Sequence, residues 1–220
     1  MLADAKRGET NAPIRIENVS GSNYHDLPGA DFGLDCKSCL YWEMEWGQSI
    51  HTVPEPDAAK RQWFTASSAL YGPCGKLAYD GDKVVGWAQY APATCFPRAG
   101  GYHARPSSDA YLITCLAVAP QYRNQGVGTT LLSSIVEDLR ERGVTAVETF
   151  AKKSDSNNPS GPVGLYLTQG FKVKADDPEL PLLRLDILPL PSRILQARTS
   201  PDFSNVHVSR NFPRGTQVIH

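Results

Sequence analysis

The most informative segment of this 220-residue chain reads Val118-Ala119-Pro120-Gln121-Tyr122-Arg123-Asn124-Gln125-Gly126-Val127-Gly128-Thr129-Thr130-Leu131. The apolar run before it, residues 111–118, favours a strand, and the amphipathic run after it, residues 129–142, favours a helix. The glycines at 126 and 128 remove side chains that would block close approach to the backbone. The helix start adds unpaired N–H groups and positive dipole character. Together these features predict a turn that binds a phosphate or a pyrophosphate group.

Two other phosphate-binding motifs fit this segment less well. A Walker loop needs the pattern G-x-x-x-x-G-K-[ST], which the chain lacks. A Rossmann fingerprint needs a third glycine where this chain has Leu131, although Glu148 follows at about the 20-residue distance of the usual acidic residue. The segment also comes after more than a hundred residues rather than after a first strand. The Rossmann interpretation is therefore disfavoured.

The wider motif resembles the GNAT superfamily of N-acetyltransferases. It consists of a strand, Arg123-x-x-Gly126-x-Gly128, a helix, a further strand and then Leu165-Tyr166-x-x-x-Gly170-Phe171. The resemblance is sharpest over residues 110–175 and extends more coarsely over 76–188. It implies an α/β (α+β) fold, in which a mixed, mostly antiparallel central sheet is flanked by helices in a single domain.

The resemblance also implies acetyl-CoA as co-substrate. In that family the glycine-rich turn holds the pyrophosphate, which here assigns it to Arg123, Asn124, Gln125, Gly126, Val127, Gly128 and Thr129. The preceding strand bulges and splays from its neighbour, so the pantetheine arm would pair with the backbone of Leu116, Ala117 and Val118. A bulge leaves N–H groups that can stabilise an oxyanion. Asn158 is expected to contact the coenzyme arm, and Asn157 is an alternative.

The resemblance assigns the general acid to Tyr166, which would protonate the leaving thiolate. A phenol can donate a hydrogen bond at neutral pH because its reference pKa is about 10. The alternative is that Tyr166 is a core aromatic residue. The general base is left open among several side chains, namely Asp109, Glu43, Glu45, His51 and His103.

Three functions follow from these residues. The first is acetyl-CoA-dependent N-acetylation of a primary amine, on a small molecule, a peptide terminus or a lysine side chain. The second is a catalytically silent acyl-CoA-binding sensor or scaffold, which needs the turn but not Tyr166. The third is a zinc-stabilised interaction protein that uses Cys36 and Cys39, but a structural zinc site normally has four ligands and no second pair is evident, so no metal is expected.

Composition narrows the partners and the location. The formal net charge is −1, which gives no general attraction to nucleic acid. No apolar run approaches the roughly 18 residues of a membrane span, and the first ten residues lack the apolar core of a secretory signal. The expectation is a cytoplasmic protein without nucleic-acid or membrane partners.

The chain is expected to divide into three parts. These are a flexible N-terminal arm (1–12), the GNAT-like domain (13–190) and a C-terminal tail (191–220). The tail either wraps the domain or docks on a second subunit, which would make a homodimer. Within the domain we predict a helix over 57–70, a hairpin over 76–90, a short helix from 162 to 170 and final strands near 171–174 and 182–188. Residues 20–56 are expected to be irregular, with a helical turn near 37–46.

Overall fold

A computed structural model of the protein describes residues 13–29, 32–154 and 159–188. The expected N-terminal arm, the expected tail and the expected coenzyme contact Asn158 lie outside the described residues. The division into arm, domain and tail therefore stays a prediction.

The described residues form one sheet of seven strands and three α-helices. The strands are β1 (Arg15–Asn18), β2 (Gly75–Asp80), β3 (Lys83–Pro92), β4 (Ala110–Val118), β5 (Ala146–Phe150), β6 (Lys172–Ala175) and β7 (Leu182–Asp186). The helices are α1 (Pro56–Tyr71), α2 (Val127–Glu141) and α3 (Val163–Thr168). Each predicted helix and strand is present, with its ends moved by a few residues.

The sheet has the strand order β1-β2-β3-β4-β5-β7-β6. Neighbouring strands are antiparallel except for β4 and β5, which run parallel because α2 carries the chain back between them. The predicted α/β fold with a mixed, mostly antiparallel sheet is confirmed. Because β4 lies at the centre, any irregularity in its pairing affects both halves of the sheet.

Helix α2 covers one face of the sheet. Its fully buried side chains follow the helical period, at Leu131, Leu132, Ile135 and Leu139. The contact with β3 is close, because a Cβ atom added at Gly86 would lie 2.8 Å from Leu131 Cδ1. Burial of this stripe against the sheet fixes the position of the N-terminus of α2 next to the end of β4.

Helix α1 and the irregular segment before it cover the opposite face. Phe64 of α1 lies against Trp87 of β3 and against Tyr24, with 5.9 Å between ring centres in both pairs. The irregular segment contains the predicted helical turn, which Met44 N–H closes by donating to the Leu40 carbonyl at 3.2 Å. No helix within residues 13–29, 32–154 and 159–188 combines the length and the apolar character that crossing a membrane requires.

A buried carboxylate ties the loop before β4 to the sheet. Glu148 of β5 accepts from Lys174 (2.8 Å), from Arg184 (2.9 Å) and from both the N–H and the hydroxyl of Ser107 (2.9 Å each). Burial by itself raises the pKa of Glu148, but the hydrogen bonds from Lys174, Ser107 and Arg184 outweigh it, so the pKa lies below its ordinary value. The charged form is therefore the stabilising one.

We expect Glu148→Gln to lower the free energy of unfolding by about 1–3 kcal/mol at neutral pH, because it removes the buried anion that accepts hydrogen bonds from Lys174, Arg184 and Ser107. The folded-state pKa is depressed, so the stability from ionised Glu148 is complete above its ordinary pKa and is lost as the pH falls through the folded-state value. Urea denaturation should show that the difference in free energy of unfolding between wild type and variant disappears over that acidic pH range. Asp186→Asn is the control, because Asp186 is 77% exposed and pairs with the same Arg184. A loss of equal size in the control would contradict this account.

Candidate functional site

The glycine-rich turn presents a row of backbone donors. Asn124 and Gly126 have left-handed backbone angles, with φ of 60° and 85°, and Gly126 precedes the first residue of α2 without a capping side chain. Within the described part of the chain, none of the N–H groups of residues 124–129 donates to a protein atom. Unpaired donors at the positive end of a helix suit a phosphate group.

The side chains of the turn have different roles. Arg123 is exposed, and its Nε donates to the Val118 carbonyl at 3.2 Å, so the guanidinium lies across the end of β4. The Gln125 amide folds back to the Gln121 carbonyl at 2.7 Å. Val127 is buried beside Gly86 in the core. Gln125 and Val127 therefore offer only backbone groups to a ligand.

A cavity of about 710 Å³ opens beside this turn, and we name it cavity A. It is lined by eight of the predicted coenzyme contacts, namely Leu116, Ala117, Val118, Arg123, Asn124, Gly126, Gly128 and Thr129. The opposite wall comes from Phe32, Gly33 and Leu34 and from residues around Pro159 and α3, including Gly161, Pro162, Gly164, Leu165 and Thr168. Ser154 and Tyr122 complete it.

Strand β4 carries a bulge where it passes cavity A. Gln89 of β3 pairs with Cys115 and Tyr90 pairs with Ile113, so Thr114 is an additional residue in β4. Pairing between β4 and β5 ends at Ile113 and Thr149, and the two strands separate beyond that point. The bulge and the splayed strands expected from the family resemblance are confirmed.

The gap between the strands is not open. Leu116 N–H donates to the Pro159 carbonyl at 2.5 Å, and the Leu116 carbonyl lies 3.5 Å from the position of a Cβ atom added at Gly161. Residues 159–161 therefore lie at the gap between the two strands, and the Pro159 carbonyl accepts from the N–H group that the bulge turns away from β3. The pairing of the coenzyme arm with Leu116, Ala117 and Val118 stays a prediction.

Tyr166 lies beneath the same loop. Its ring is fully buried against Phe171, with 5.1 Å between ring centres. Its hydroxyl donates to the Ser160 carbonyl at 2.6 Å, and burial raises its pKa above the ordinary value. Tyr166 lines neither cavity A nor the second cavity described next. Its role as a general acid stays a prediction.

A second cavity of about 370 Å³, cavity B, lies on the other side of residues 159–160. Pro159 and Leu34 belong to the walls of both cavities. The further lining residues of cavity B are Asp35, Cys36, Cys39, Tyr41, Trp42, Lys60, Trp87, Gln89, Tyr102, Cys115, Ser160 and Leu180. Burial raises the pKa of Cys36 to about 12 and that of Cys115 well above its ordinary value, so these two thiols stay neutral and form part of an apolar wall.

Cavity B ends on a buried polar cluster of Glu43, Lys60 and Gln89. Lys60 Nζ donates to Glu43 Oε1 at 2.6 Å and to Gln89 Oε1 at 2.8 Å. Gln89 Nε2 donates to the same Glu43 oxygen at 2.5 Å. The other oxygen, Glu43 Oε2, is buried and has no hydrogen-bond partner among the described residues. A buried carboxylate oxygen without a donor is costly, so this cluster is a candidate binding group.

Among the side chains considered as general base, only Glu43 touches residues that line a cavity. Asp109 instead forms an ion pair with Arg184 at 3.0 Å, which holds the pKa of that carboxyl below its usual range. His103 lies 3.7 Å from Asp177, and Glu45 and His51 are exposed. Sequence reasoning missed Lys60 and Gln89. Their signal was a charged residue on the buried stripe of α1 and an amide within an apolar strand.

The Cys36-x-x-Cys39 pair lies at the wall of cavity B. All five cysteines are free thiols. Within residues 13–29, 32–154 and 159–188, no three histidine, cysteine or acidic side chains come together in a way that would hold a metal ion. The two cysteines line cavity B instead.

Comparison with known proteins agrees with this geometry. The family model described as "Acetyltransferase (GNAT) family" matches residues 38–171, which is more than half of the chain. The chain is similar to the PaiA N-acetyltransferase of Thermoplasma acidophilum, solved in complex with coenzyme A (15% identity, 80% of this chain and 99% of that chain, TM-score 0.50). It is also similar to YncA of Salmonella typhimurium, solved with acetyl-CoA (15% identity, 82% of this chain and 98% of that chain, TM-score 0.53). An N-acetyltransferase of Staphylococcus aureus Mu50 has 14% identity over 80% of this chain and 100% of its own, with a TM-score of 0.53. No curated protein sequence matches the chain significantly.

We expect the two glycines of the turn to respond differently to alanine. Gly126→Ala should lower the free energy of unfolding by about 1–2 kcal/mol, because an L-residue is strained at a φ of 85°. Gly128→Ala should cause no loss, because the position is helical and the added Cβ atom would be in ordinary contact with Leu165 at 3.4 Å. Urea denaturation of both variants measures the difference. Equal losses would show that Gly126 is not held in the left-handed conformation.

Proposed function

Because the chain belongs to the GNAT acetyltransferase family, we propose that it transfers an acetyl group from acetyl-CoA to a primary amine. The observation that supports this most is cavity A, where unpaired N–H groups at residues 124–129 lie beside the bulged end of β4. The free N–H groups suit a diphosphate, and the bulged strand end suits an extended chain of amide groups. Coenzyme A contains both a diphosphate and such a chain.

Acetyl-CoA would bind with its pyrophosphate on the N–H groups of 124–129. The residues fit this group, since Gly128 lines the cavity without a side chain and Arg123 is close enough to add charge. The pantetheine arm would follow the backbone of Leu116, Ala117 and Val118. It can accept from Leu116 N–H only by displacing the Pro159 carbonyl. Asn158 is a further proposed contact.

The reaction needs a neutral amine, a polarised carbonyl and a proton for the leaving sulfur. The amine nitrogen attacks the thioester carbon, the carbon–sulfur bond breaks, and the products are an amide and a thiol. Leu116 N–H, once freed from Pro159, is the proposed donor to the oxygen that gains negative charge. Tyr166 is proposed to protonate the sulfur after its hydroxyl leaves the Ser160 carbonyl.

A second function is favoured by one specific contact pattern. Residues 159–160 occupy both Leu116 N–H and the Tyr166 hydroxyl, so both proposed catalytic groups are already paired. A protein that binds acyl-CoA as a sensor or scaffold would need neither group free. Calorimetry with coenzyme A, combined with a thiol-release assay on a panel of primary amines, separates the two. Binding without thiol release on any amine would favour the silent module.

Removal of the arginine tests the pyrophosphate site. We expect Arg123→Ala to raise the KM for acetyl-CoA about tenfold with little change in kcat, because an exposed charge-assisted hydrogen bond contributes near the lower end of about 1.5–3 kcal/mol. Arg140→Ala is the matched control, since Arg140 lies in the last turn of α2, at the end of the helix away from the glycine-rich turn. An unchanged KM in Arg123→Ala would remove Arg123 from the site.

Removal of the phenol tests the general acid. We expect Tyr166→Phe to lower kcat about 100-fold and to leave the KM for acetyl-CoA within threefold, because a positioned acid typically contributes 10²–10⁴-fold. The phenol also anchors Ser160, so its loss could act by loosening the loop. Ser160→Ala controls for this, since it removes the Ser160 hydroxyl that donates to the Phe150 carbonyl and keeps the phenol. Equal losses in both variants would assign Tyr166 a structural role.

A further inference from the structure

Cavity B has the composition of a binding site for a specific class of amine. We propose that it holds a small primary amine with an aromatic or otherwise apolar body, and that Glu43, Lys60 and Gln89 receive the amino group. This assignment rests on the proposed acetyl transfer, and it names the acceptor that the transfer would use. The acceptor assignment depends on three observations. These are the ring wall of cavity B (Trp42, Tyr102 and Tyr41), the polar cluster, and the position of both relative to the bulge in β4.

The wall of cavity B is built from stacked rings. Trp42 lies parallel to Tyr102, with ring centres 5.3 Å apart and planes 19° apart. The hydroxyls of Tyr102 and Tyr41 are 2.8 Å apart. Aromatic faces in this arrangement favour a flat apolar ligand.

The ring wall continues from the cavity to the protein surface. Tyr41 is 44% exposed and Trp46 is 59% exposed, and Trp46 meets the edge of Tyr102 with 5.6 Å between ring centres. The Arg98 guanidinium covers the Tyr41 ring at 4.5 Å. An apolar body can therefore contact rings along its whole length, while its amino group reaches the buried end.

The buried end offers one place for an N–H donor. The side chains of Lys60 and Glu43 are 3% and 5% exposed, and Gln89 is 1% exposed. Lys60 and Gln89 line the cavity, and both donate to Glu43 Oε1. Glu43 Oε2 is left without a donor among the described residues. Glu43 itself is not in the wall of cavity B, and in the proposed complex an amine that enters between Lys60 and Gln89 supplies the N–H that this oxygen lacks.

The polar cluster is also close to the proposed reaction centre. Gln89 pairs with Cys115 across the β3–β4 ladder, and Thr114, the bulged residue, donates to the Gln89 carbonyl at 3.4 Å. Leu116, which follows Cys115, faces cavity A. An amino group held at Gln89 is thus one strand away from the position proposed for the thioester carbonyl.

The charges of the cluster select the neutral amine. Lys60 already neutralises Glu43, and a second cation in an apolar cavity is disfavoured both by burial and by the Lys60 charge. The amine therefore binds after losing its extra proton to solvent. As the carbon–nitrogen bond forms, the nitrogen passes one proton to Glu43 Oε2. The thiolate takes a proton from the Tyr166 hydroxyl as the carbon–sulfur bond breaks, and exchange with solvent then returns the Glu43 proton and restores that of Tyr166. A diamine carries a second positive charge to the rings of Tyr41 and Trp46, which the Arg98 guanidinium already covers and where it repels another cation.

The first test compares four acceptors with acetyl-CoA held constant, measured as kcat/KM from thiol release. They are 2-phenylethylamine, n-butylamine, 1,4-diaminobutane and a tripeptide with a free N-terminus. We expect kcat/KM for 2-phenylethylamine to be at least ten times that for n-butylamine. The ratio to 1,4-diaminobutane and to the tripeptide should be larger still. Tyr41→Leu should reduce the tenfold preference to below threefold, whereas Tyr71→Leu, which changes a similarly exposed tyrosine outside both cavities, should not.

The second test removes the charge of the cluster. Glu43→Gln should lower kcat for 2-phenylethylamine at least 30-fold, with the KM for acetyl-CoA within threefold, whereas the exposed neighbour variant Glu45→Gln should match wild type. The double variant Glu43→Gln with Lys60→Met leaves no unpaired buried charge. If the single variant is unstable, the double variant should still fold and should show the same loss of kcat.

The outcomes separate the acceptor assignment from the proposed function. If acetyl-CoA binds and the diamine or the peptide is acetylated tenfold better than 2-phenylethylamine, the acceptor assignment is overturned and acetyl transfer stands. Retention of kcat within threefold in folded Glu43→Gln overturns the role of the cluster. If coenzyme A binds and no amine is acetylated, or if it does not bind at all, the proposed function fails and the acceptor assignment fails with it.

Discussion

One additional residue in the central strand organises both cavities of this protein. Thr114 shifts the register of β4 against β3 by one position, and β4 separates from β5 directly beyond the last pair, Ile113 and Thr149. A strand at the centre of a sheet normally has all its backbone groups paired, so this separation exposes polar groups in the middle of the fold. The polar groups need partners, and in the structure the loop at residues 159–161 provides them.

The same loop therefore connects binding and chemistry. Pro159 accepts from the backbone of β4, Ser160 accepts from the Tyr166 hydroxyl, and Pro159 belongs to the walls of both cavities. In the proposed function, a coenzyme arm that accepts from Leu116 N–H takes the place of the Pro159 carbonyl.

The parts of the site that sequence reasoning found are those built from consecutive residues. The turn at 123–129 was predictable because its glycines and the helix start act locally, and five of its seven residues line cavity A. The position of the bulge was not predictable, because Thr114 is the polar residue of an otherwise apolar run and threonine is also common in strands that carry no bulge.

Contacts between distant segments were also out of reach of the sequence. Glu43, Lys60 and Gln89 come from an irregular segment, a helix and a strand, and each looks like an ordinary polar residue until folding buries all three together. The motif predicted a role for Tyr166, but the hydrogen bond of its hydroxyl depends on the conformation of a separate loop. The fold class depends on hydrophobic periodicity and short turns, which are local, and it was predicted correctly.

The claim on which the functional account depends is that coenzyme A binds along the end of β4 and the start of α2. A titration of the ¹⁵N-labelled protein with coenzyme A, followed by amide NMR, tests it most directly. The account predicts that the largest shifts occur at Asn124 to Thr129 and at Leu116, whose N–H must exchange the Pro159 carbonyl for the ligand. Saturating coenzyme A with no shifts at these amides, or with the largest shifts elsewhere in the chain, would contradict it.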